Sequence, residues 1–486
     1  MLPTLTIVVV RTLFAAVDGW ILWRAWRHFA RLDAAVGRIV GAGLVLRATG
    51  AQLLFWVSYL HLPVARSQQD GNGFWKFAVD SRLYFDDSLF LLEKGWRAVV
   101  AVDRTLPSPV YLQTLTLFLF LFGVVVMAGV LLNLLAYCAG CEALLQLGRL
   151  EGTARRPTLI ALAALSFSPS LLLWSTQPLK DALFISVVAV FVAACTRWRQ
   201  GWLTDATWRP FAASLGLLLV TLHVIAGIRW YFGILMCLAS FPFLVMTVAA
   251  SRRRVVSAIV NTLVFLLMLQ VVAYVSGPYL PPSVARFLKG AAPPQETARN
   301  LVSIVEKSRA GFDATGGRSQ IREGRVLAHA EGEREPAVEA APAGTKGQPP
   351  KAEGVPRSAI GRLAAGTAAV VLPRFVSESL GIIHVGGGAG LWPVVEADTL
   401  FFDLLLLIVL VHVVNEARAG ALRDPSFWLV AFMTAGIAIL LAYTISNFGT
   451  LFRHRSMILT GLALLLAVTR APAPTPKKEG KGTVPG

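Results

Sequence analysis

Between Gln69 and Lys94 the chain reads QDGNGFWKFAVDSRLYFDDSLFLLEK, a polar stretch carrying Asp70, Asp80, Asp86, Asp87 and Glu93. Carboxylates are scarce elsewhere, with 28 Asp and Glu against 45 Lys and Arg in 486 residues. A carboxylate beside an apolar segment can act as a general base, taking the proton of a hydroxyl as it attacks a carbon bonded to phosphate. Asp80, Asp86 and Asp87 are the catalytic candidates. From about Ser81 the pattern is helical: Leu83, Phe85, Leu89 and Leu92 can pack while Asp86 and Asp87 point away. Asp80 immediately before Ser81 also fits a helix N-cap, a structural role worth about 1 kcal/mol.

The complementary chemistry is cationic. Lys180, Arg229, Arg453 and Arg455 stand in short breaks between apolar runs, with Asp181 and His454 beside them. Arg can clamp phosphate or pyrophosphate by bidentate hydrogen bonds, and Lys acts as a point charge. The competing account is that these cations snorkel to an interface or pair with the carboxylates, and that Asp181 serves a helix N-terminus. A carboxylate pair could also hold a divalent cation against a diphosphate leaving group. No further ligand is identifiable, so no cofactor is predicted and a divalent cation stays open only as an alternative. Cys138 and Cys141 form a CxxC without a second Cys or His pair, which argues against a metal or redox centre.

These residues are positioned by membrane spans. The chain is 55% hydrophobic and 15% charged, with a mean hydropathy of +0.63. That is too apolar for a soluble domain of this length, and the apolar runs of about 18 to 22 residues match a hydrocarbon core of about 30 Å crossed by helices. The expected fold is an all-α polytopic transmembrane bundle of about eleven spans, with no sign of the short alternating segments of a β-barrel. Spans are expected at about 2–23, 39–62, 110–136, 158–175 and 182–196, then a sixth ending at about Gly227, a seventh ending at about Ala250 after the break Ile228 to Tyr231, and at about 255–276, 400–414, 427–444 and 457–468. Residues 1–276 thus form a bundle of about eight spans including an acidic loop at 63–109, and 398–470 supply the last three. The first apolar run contains Arg11 and Asp18 and lacks a clear cleavage site, so it reads as a retained helix. The turn between the fourth and fifth spans is so short that the two should be antiparallel neighbours.

Residues 277–397 differ in kind. About 296–309 could form an amphipathic helix, about 313–357 reads as a disordered insert of Gly, Ala, Pro, Glu, Lys and Arg, and Ile360 to Val376 reads as an interfacial or re-entrant helix. Gly386, Gly387, Gly388 and Gly390 form a flexible turn that fits no nucleotide fingerprint. The tail at 471–486 is basic.

The net charge of +17 would suggest nucleic acid in a soluble protein, but here it follows the loops. With about eleven spans and the N-terminus outside, the clusters at 24–38, 149–156, 197–209, 252–254, 418–423 and 470–481 all fall in the cytoplasm, as the positive-inside rule requires. The acidic loop, the Lys180-Asp181 turn, Arg229, residues 277–397 and Arg453-His454-Arg455 then share the extracytoplasmic face.

Three segments resemble a known family. The Asp-x-x-x-Tyr element of Asp80 and Tyr84 in the first acidic loop resembles the C-type membrane glycosyltransferase superfamily. The segment PSLLLWSTQPLKDALFISVVAVF, residues 169–191, is similar to the proline-led Trp-Ser to Lys-Asp turn of bacterial polysaccharide-assembly enzymes, including Wzy-like polymerases. NFGTLFRHRSMIL, residues 447–459, is similar to the basic turn before their last spans. The resemblance implies a polyprenyl-phosphate or -diphosphate sugar donor, a glycan or lipid acceptor and an active site at the outer boundary of the bacterial inner membrane. Tyr84, Lys180, Asp181, Arg229, Arg453, His454 and Arg455 would contact substrate, membrane lipids would surround the bundle, and no nucleic acid is involved. The chain departs from the family in placing its acidic loop after the second span and in lacking an Asp-Glu pair there.

Two other classes compete. A transporter or flippase for a lipid-linked or anionic solute should carry ionisable residues in mid-span, for which Arg11, Asp18 and Arg47 are candidates, and internal repeats, of which none is seen. A membrane scaffold would use the insert as its docking region.

Overall fold

The computed structural model describes residues 2–102, 106, 108–204, 208–279, 319–321, 359–372, 374–380, 383–385, 392–418, 424–445 and 448–469. The protein is an all-α polytopic bundle, and among the described residues nine helices are long and apolar enough to cross a membrane. The sequence order is α1 (Leu2–Leu32), α2 (Ala34–Tyr59), a small hairpin β1 (Gln69–Gly71) and β2 (Phe74–Trp75), α3 (Val79–Glu93), α4 (Trp96–Val100), α5 (Pro109–Phe122) and α6 (Val126–Glu151). Next come α7 (Arg155–Phe167), α8 (Pro169–Trp174), α9 (Lys180–Leu203), α10 (Trp208–Ile228), α11 (Trp230–Ala250) and α12 (Arg254–Ser276). The described C-terminal elements are β3 (Ser319–Ile321), α13 (Ala359–Val371), α14 (Arg374–Ser379), β4 (Ile383–Val385), α15 (Trp392–Arg418), α16 (Pro425–Thr444) and α17 (Phe448–Val468).

The nine are α2, α6, α9, α10, α11, α12, α15, α16 and α17; the expected first span, within α1, is not among them, and two other differences from the eleven expected spans have local causes. The expected span at 110–136 divides at Gly123, whose φ of 92° belongs to glycine. The spanning helix is α6, while α5 packs between α3 and the ends of α6 and α10. The expected span at 158–175 divides at Ser168-Pro169, because proline cannot continue the hydrogen-bond ladder of α7. Neither α7 nor α8 reaches a span's length. Contrary to the antiparallel pairing expected across the next turn, α9 packs along α6 and α10, while α7 packs against α2 and α17. Thirteen-residue α13 extends about 20 Å, short of a hydrocarbon core, and packs against α16 and α17. Its Gly366 passes so close to the backbone of Ala442 that an added Cβ would overlap the carbonyl.

Burial separates inner from outer helices. The span window of α17 is 94% buried within the protein, whereas those of α2, α12 and α15 are 28% buried and turn Val45, Leu53, Leu263 and Leu407 outward. Outward apolar faces of this kind suit a lipid solvent.

The divided helix is closed by charge at both broken ends. Arg47 of α2 donates to Ser166 O at 2.7 Å and Leu165 O at 2.8 Å, the last carbonyls of α7, and stacks 4.0 Å from the Tyr137 ring. Asp398 of α15 accepts from Ser170 N at 2.9 Å and Ser168 Oγ at 3.2 Å at the start of α8. A cation at a helix C-terminus and an anion at an N-terminus complement the backbone dipoles. Arg47, a mid-span candidate for transport, is therefore committed to backbone.

Within the expected disordered insert, Ser319–Ile321 pairs antiparallel with Ile383–Val385. The rest of 313–357, the amphipathic helix at 296–309, the glycine turn at 386–390, the 471–486 tail and the Arg11 side chain lie outside the described residues.

Candidate functional site

One end of the bundle gathers the ends of α3, α8, α9, α10 and α17. The hairpin β1–β2 places α3 there: Ser58 donates to Phe74 O at 2.7 Å and Trp75 Nε1 to Leu54 O at 2.9 Å, fastening the hairpin to α2. Its turn uses Gly71, Asn72 and Gly73, all at positive φ, and a Cβ on Gly73 would lie 2.4 Å from the Phe55 ring. The turn from α8 to α9 is held by buried Asn133, which donates to Gln177 O at 2.6 Å and Ser175 O at 3.2 Å. Asn133 lies within an apolar run, and that polar interruption was the signal available for it in the sequence.

Upon this frame sits a linked set of charges. Arg453 Nη1 donates to Asp80 Oδ2 at 2.6 Å, and its Nε donates to Asp181 Oδ2 at 2.8 Å. The other Asp181 oxygen accepts from Arg229 Nη2 at 2.7 Å. Arg229 Nη1 lies 2.6 Å from His454 Nε2 and donates to Tyr231 Oη at 3.1 Å. Since the guanidinium can only donate, His454 Nε2 accepts and its proton sits on Nδ1, which donates to Thr450 O at 2.8 Å. His454 is thus a neutral bridge in this arrangement.

Lys180 extends the set toward α5. Its ammonium donates to Ser108 Oγ at 2.6 Å, and Ser108 in turn donates to Ile228 O at 2.9 Å. The same ammonium lies 5.3 Å from the centre of the Tyr84 ring, close enough for cation–π attraction. The Tyr84 phenol is pushed up to about 12, first by burial and then by the Asp80 carboxylate. It stays neutral at ordinary pH, and its role is aromatic. Lys180, Arg229 and Arg453 thus gather about two carboxylates, Asp80 and Asp181.

Burial grades across the set. Asp181 is 2% exposed and Arg453 12%, whereas Asp80 is 45% exposed, so Asp80 forms the open edge. Two donors at this place have no acceptor among the described residues, Arg229 Nε and Trp174 Nε1, while Arg453 Nη2 lies 2.7 Å from Asp181 Oδ2. Trp174 lies under Arg453, 5.6 Å from ring centre to guanidinium. Unaccepted buried donors beside a pair of arginines are what an anion with several oxygens would satisfy.

The helix α3 begins at Val79 with Ala78 at its N-cap position and no capping side chain. Asp80 is therefore not the expected cap, because it lies inside the first turn with its carboxylate on Arg453. Asp86 and Asp87 are not joined to the set. Asp86 is 61% exposed and 3.9 Å from Arg82, and Asp87 is half-buried with no ion pair among the described residues. Arg455 is turned the other way: it is fully buried, donates to Thr399 Oγ1 at 2.5 Å and Ala369 O at 3.1 Å, and fastens α13 and α15 to α17. Sequence reasoning missed Ser108, Trp174 and Tyr231. Among the described residues, no group of three or more His, Cys, Asp or Glu is placed to hold a metal ion, and Cys138 and Cys141 are free and buried.

Comparisons with protein-family models, with curated proteins and with solved structures return no match to this chain.

Proposed function

We propose that this multi-pass membrane protein transfers or polymerises sugars from a polyprenyl-phosphate or -diphosphate donor, at the extracytoplasmic face of a bacterial inner membrane, in cell-surface glycan assembly. The observation that carries the reading is the pair of unaccepted donors, Arg229 Nε and Trp174 Nε1, flanking Arg453 and its half-exposed carboxylate partner Asp80. Donor phosphate oxygens would take these hydrogen bonds and compete with Asp80 for Arg453. Asp80, released from its guanidinium, would then accept the proton of the acceptor hydroxyl as the hydroxyl oxygen bonds to the sugar carbon and the carbon–oxygen bond to phosphate breaks. Arg453 and Lys180 would stabilise the charge building on the leaving phosphate. A base inhibited by its own clamp until the donor arrives would also protect the donor from water.

The basic clusters at the opposite end support the orientation through the positive-inside rule. Transport is a second reading, favoured by the divided helix α7–α8, since half-helix ends often bind solutes. Here Arg47 and Asp398 already occupy both ends, which weighs toward the enzyme.

The test is purified protein supplied with a polyprenyl-linked sugar pool. Asp80→Asn is expected to keep donor binding and lose turnover by about 10²- to 10⁴-fold, the usual range for a general base. Arg453→Ala is expected to lose binding. Full activity in both variants would refute the site.

A further inference from the structure

The end of the bundle opposite the charged site carries a separate feature, independent of the proposed activity. The helices α1 and α2 form a hairpin at Asp33, whose carboxylate accepts from Ala35 N at 2.6 Å and Val36 N at 3.2 Å and pairs with Arg155 at 2.9 Å. Trp26 is wedged between them, donating to Gly37 O at 3.1 Å, and a Cβ on Gly41 would lie 2.6 Å from its indole nitrogen. Alongside the wedge runs an apolar groove of about 680 Å³ lined by Leu22, Trp23, Trp26, Gly41 and Val45, with Arg38 at its rim. That volume lies within the range of about 300–1,000 Å³ in which small ligands are held. Val45 is 62% exposed beside it, so the groove opens sideways, toward hydrocarbon in a membrane.

The mouth of this groove is strongly basic. Arg24, Arg27 and Arg31 follow one another along α1, and Arg38 stands on the first turns of α2, donating to Ala34 O at 3.3 Å. Two of the guanidiniums are stacked, Arg27 at 4.6 Å from the Trp23 ring and Arg24 at 5.8 Å from the Trp20 ring. Among the described residues none of the four has a carboxylate within 4 Å, while the nearby acids Asp33 and Glu142 are engaged by Arg155 and His28. An apolar slot open to lipid, capped by guanidiniums that pair with no carboxylate among the described residues, two of them stacked on tryptophans, matches one chemistry: an acyl chain with a phosphate headgroup and net negative charge.

We infer that the α1–α2 groove is a binding site for an anionic glycerophospholipid of the leaflet at the Asp33 end, its acyl chain against Trp23 and Trp26 and its phosphate on Arg27 and Arg38. The ligand is structural, tying a weakly buried helix pair into the bundle. Native mass spectrometry of the full chain released from detergent, with added phosphatidylglycerol or phosphatidylcholine, tests it. Wild type is expected to retain one phosphatidylglycerol at least tenfold more strongly than phosphatidylcholine. The double variant Arg27→Gln/Arg38→Gln should lose that preference. Val45→Trp, which fills the slot and leaves every arginine in place, should weaken binding of both lipids. Equal retention of the two lipids by wild type, undiminished phosphatidylglycerol binding in the double variant, or a lipid-free dimer that the Val45→Trp change dissociates would each overturn the assignment, the last by placing a second copy of the chain in the groove. Melting of each variant in detergent confirms that a lost lipid is not a lost fold.

Discussion

Asp80 and Arg453 are 373 residues apart in the chain and 2.6 Å apart at the open edge of the site. Arg453 holds Asp80 with one arm and Asp181 with another, so its planar fork, and not only its charge, is in use. Arg453→Lys keeps the charge but cannot span both carboxylates. Hydrogen bonds to charged groups contribute about 1.5–3 kcal/mol. Donor affinity of Arg453→Lys is therefore expected to fall by about ten- to a hundredfold with folding retained, as read by titration with a polyprenyl-linked donor. Unchanged affinity would mean that Arg453 serves as a point charge only.

Asp181 lies between two arginines, and its removal would leave both with a buried, unbalanced charge. Asp181→Asn is expected to destabilise the protein by about 3–5 kcal/mol. Adding Arg229→Met should recover part of that loss, because it removes one uncompensated guanidinium. Thermal unfolding in detergent of the single and double variants measures the coupling, and strict additivity would show that the two do not interact.

The Asp33 carboxyl is held below its ordinary value of 3.8, first by the Ala35 and Val36 backbone N–H groups and then by Arg155. A lowered folded-state value contributes stability that is complete above 3.8 and lost as pH falls through the folded value. Asp33→Asn should therefore melt lower than wild type at neutral pH. The gap should close only in acid below 3.8, and melting curves from neutral pH into that range check both points.

The Gly73 position admits no side chain, with φ at 88° and the Phe55 ring in the way. Gly73→Ala should cost about 1–2 kcal/mol from backbone conformation alone. It should also loosen the hairpin that places Asp80. Turnover is expected to drop while cleavage of the 69–75 segment by protease rises, and an unchanged cleavage rate would separate hairpin from site.

The all-α bundle was legible from apolar run length alone, and the parity of the spans was enough to group Lys180, Arg229 and Arg453 at one end. What the sequence hid was angular. Arg453 and Arg455 look equivalent in a loop, but in a helix two residues subtend about 200°. Residues 448–468 are helical, so Arg453 meets Asp80 and Arg455 faces α13 and α15. Asp80 also fitted a cap because Ser81 looked like a helix start, and the helix begins two residues earlier because a 3-10 turn at Lys76–Ala78, after the hairpin, leads straight into it. The division of α7 from α8 was written in Ser168-Pro169, but the apolar run across it masked the signal. Partners such as Arg47 and Asp398 depend on tertiary contact and leave no local pattern.

The helix α9 is anchored at both extremities. At one, Asp181 meets Arg229 and Arg453, and at the other Arg199 lies between Glu151, at 2.5 Å, and Asp424. Sliding it along its axis by a single residue, about 1.5 Å, would break both sets together, so it behaves as a rigid strut. The α3 helix, which follows the short hairpin and packs on α5, has no such pair of charged anchors among the described residues and meets the charged set through Asp80. Admission of a bulky substrate is thus expected to swing α3 as a jaw against a stationary post. Spin labels on α3 and α9 should separate when donor is added, while a pair on α6 and α9 keeps its distance.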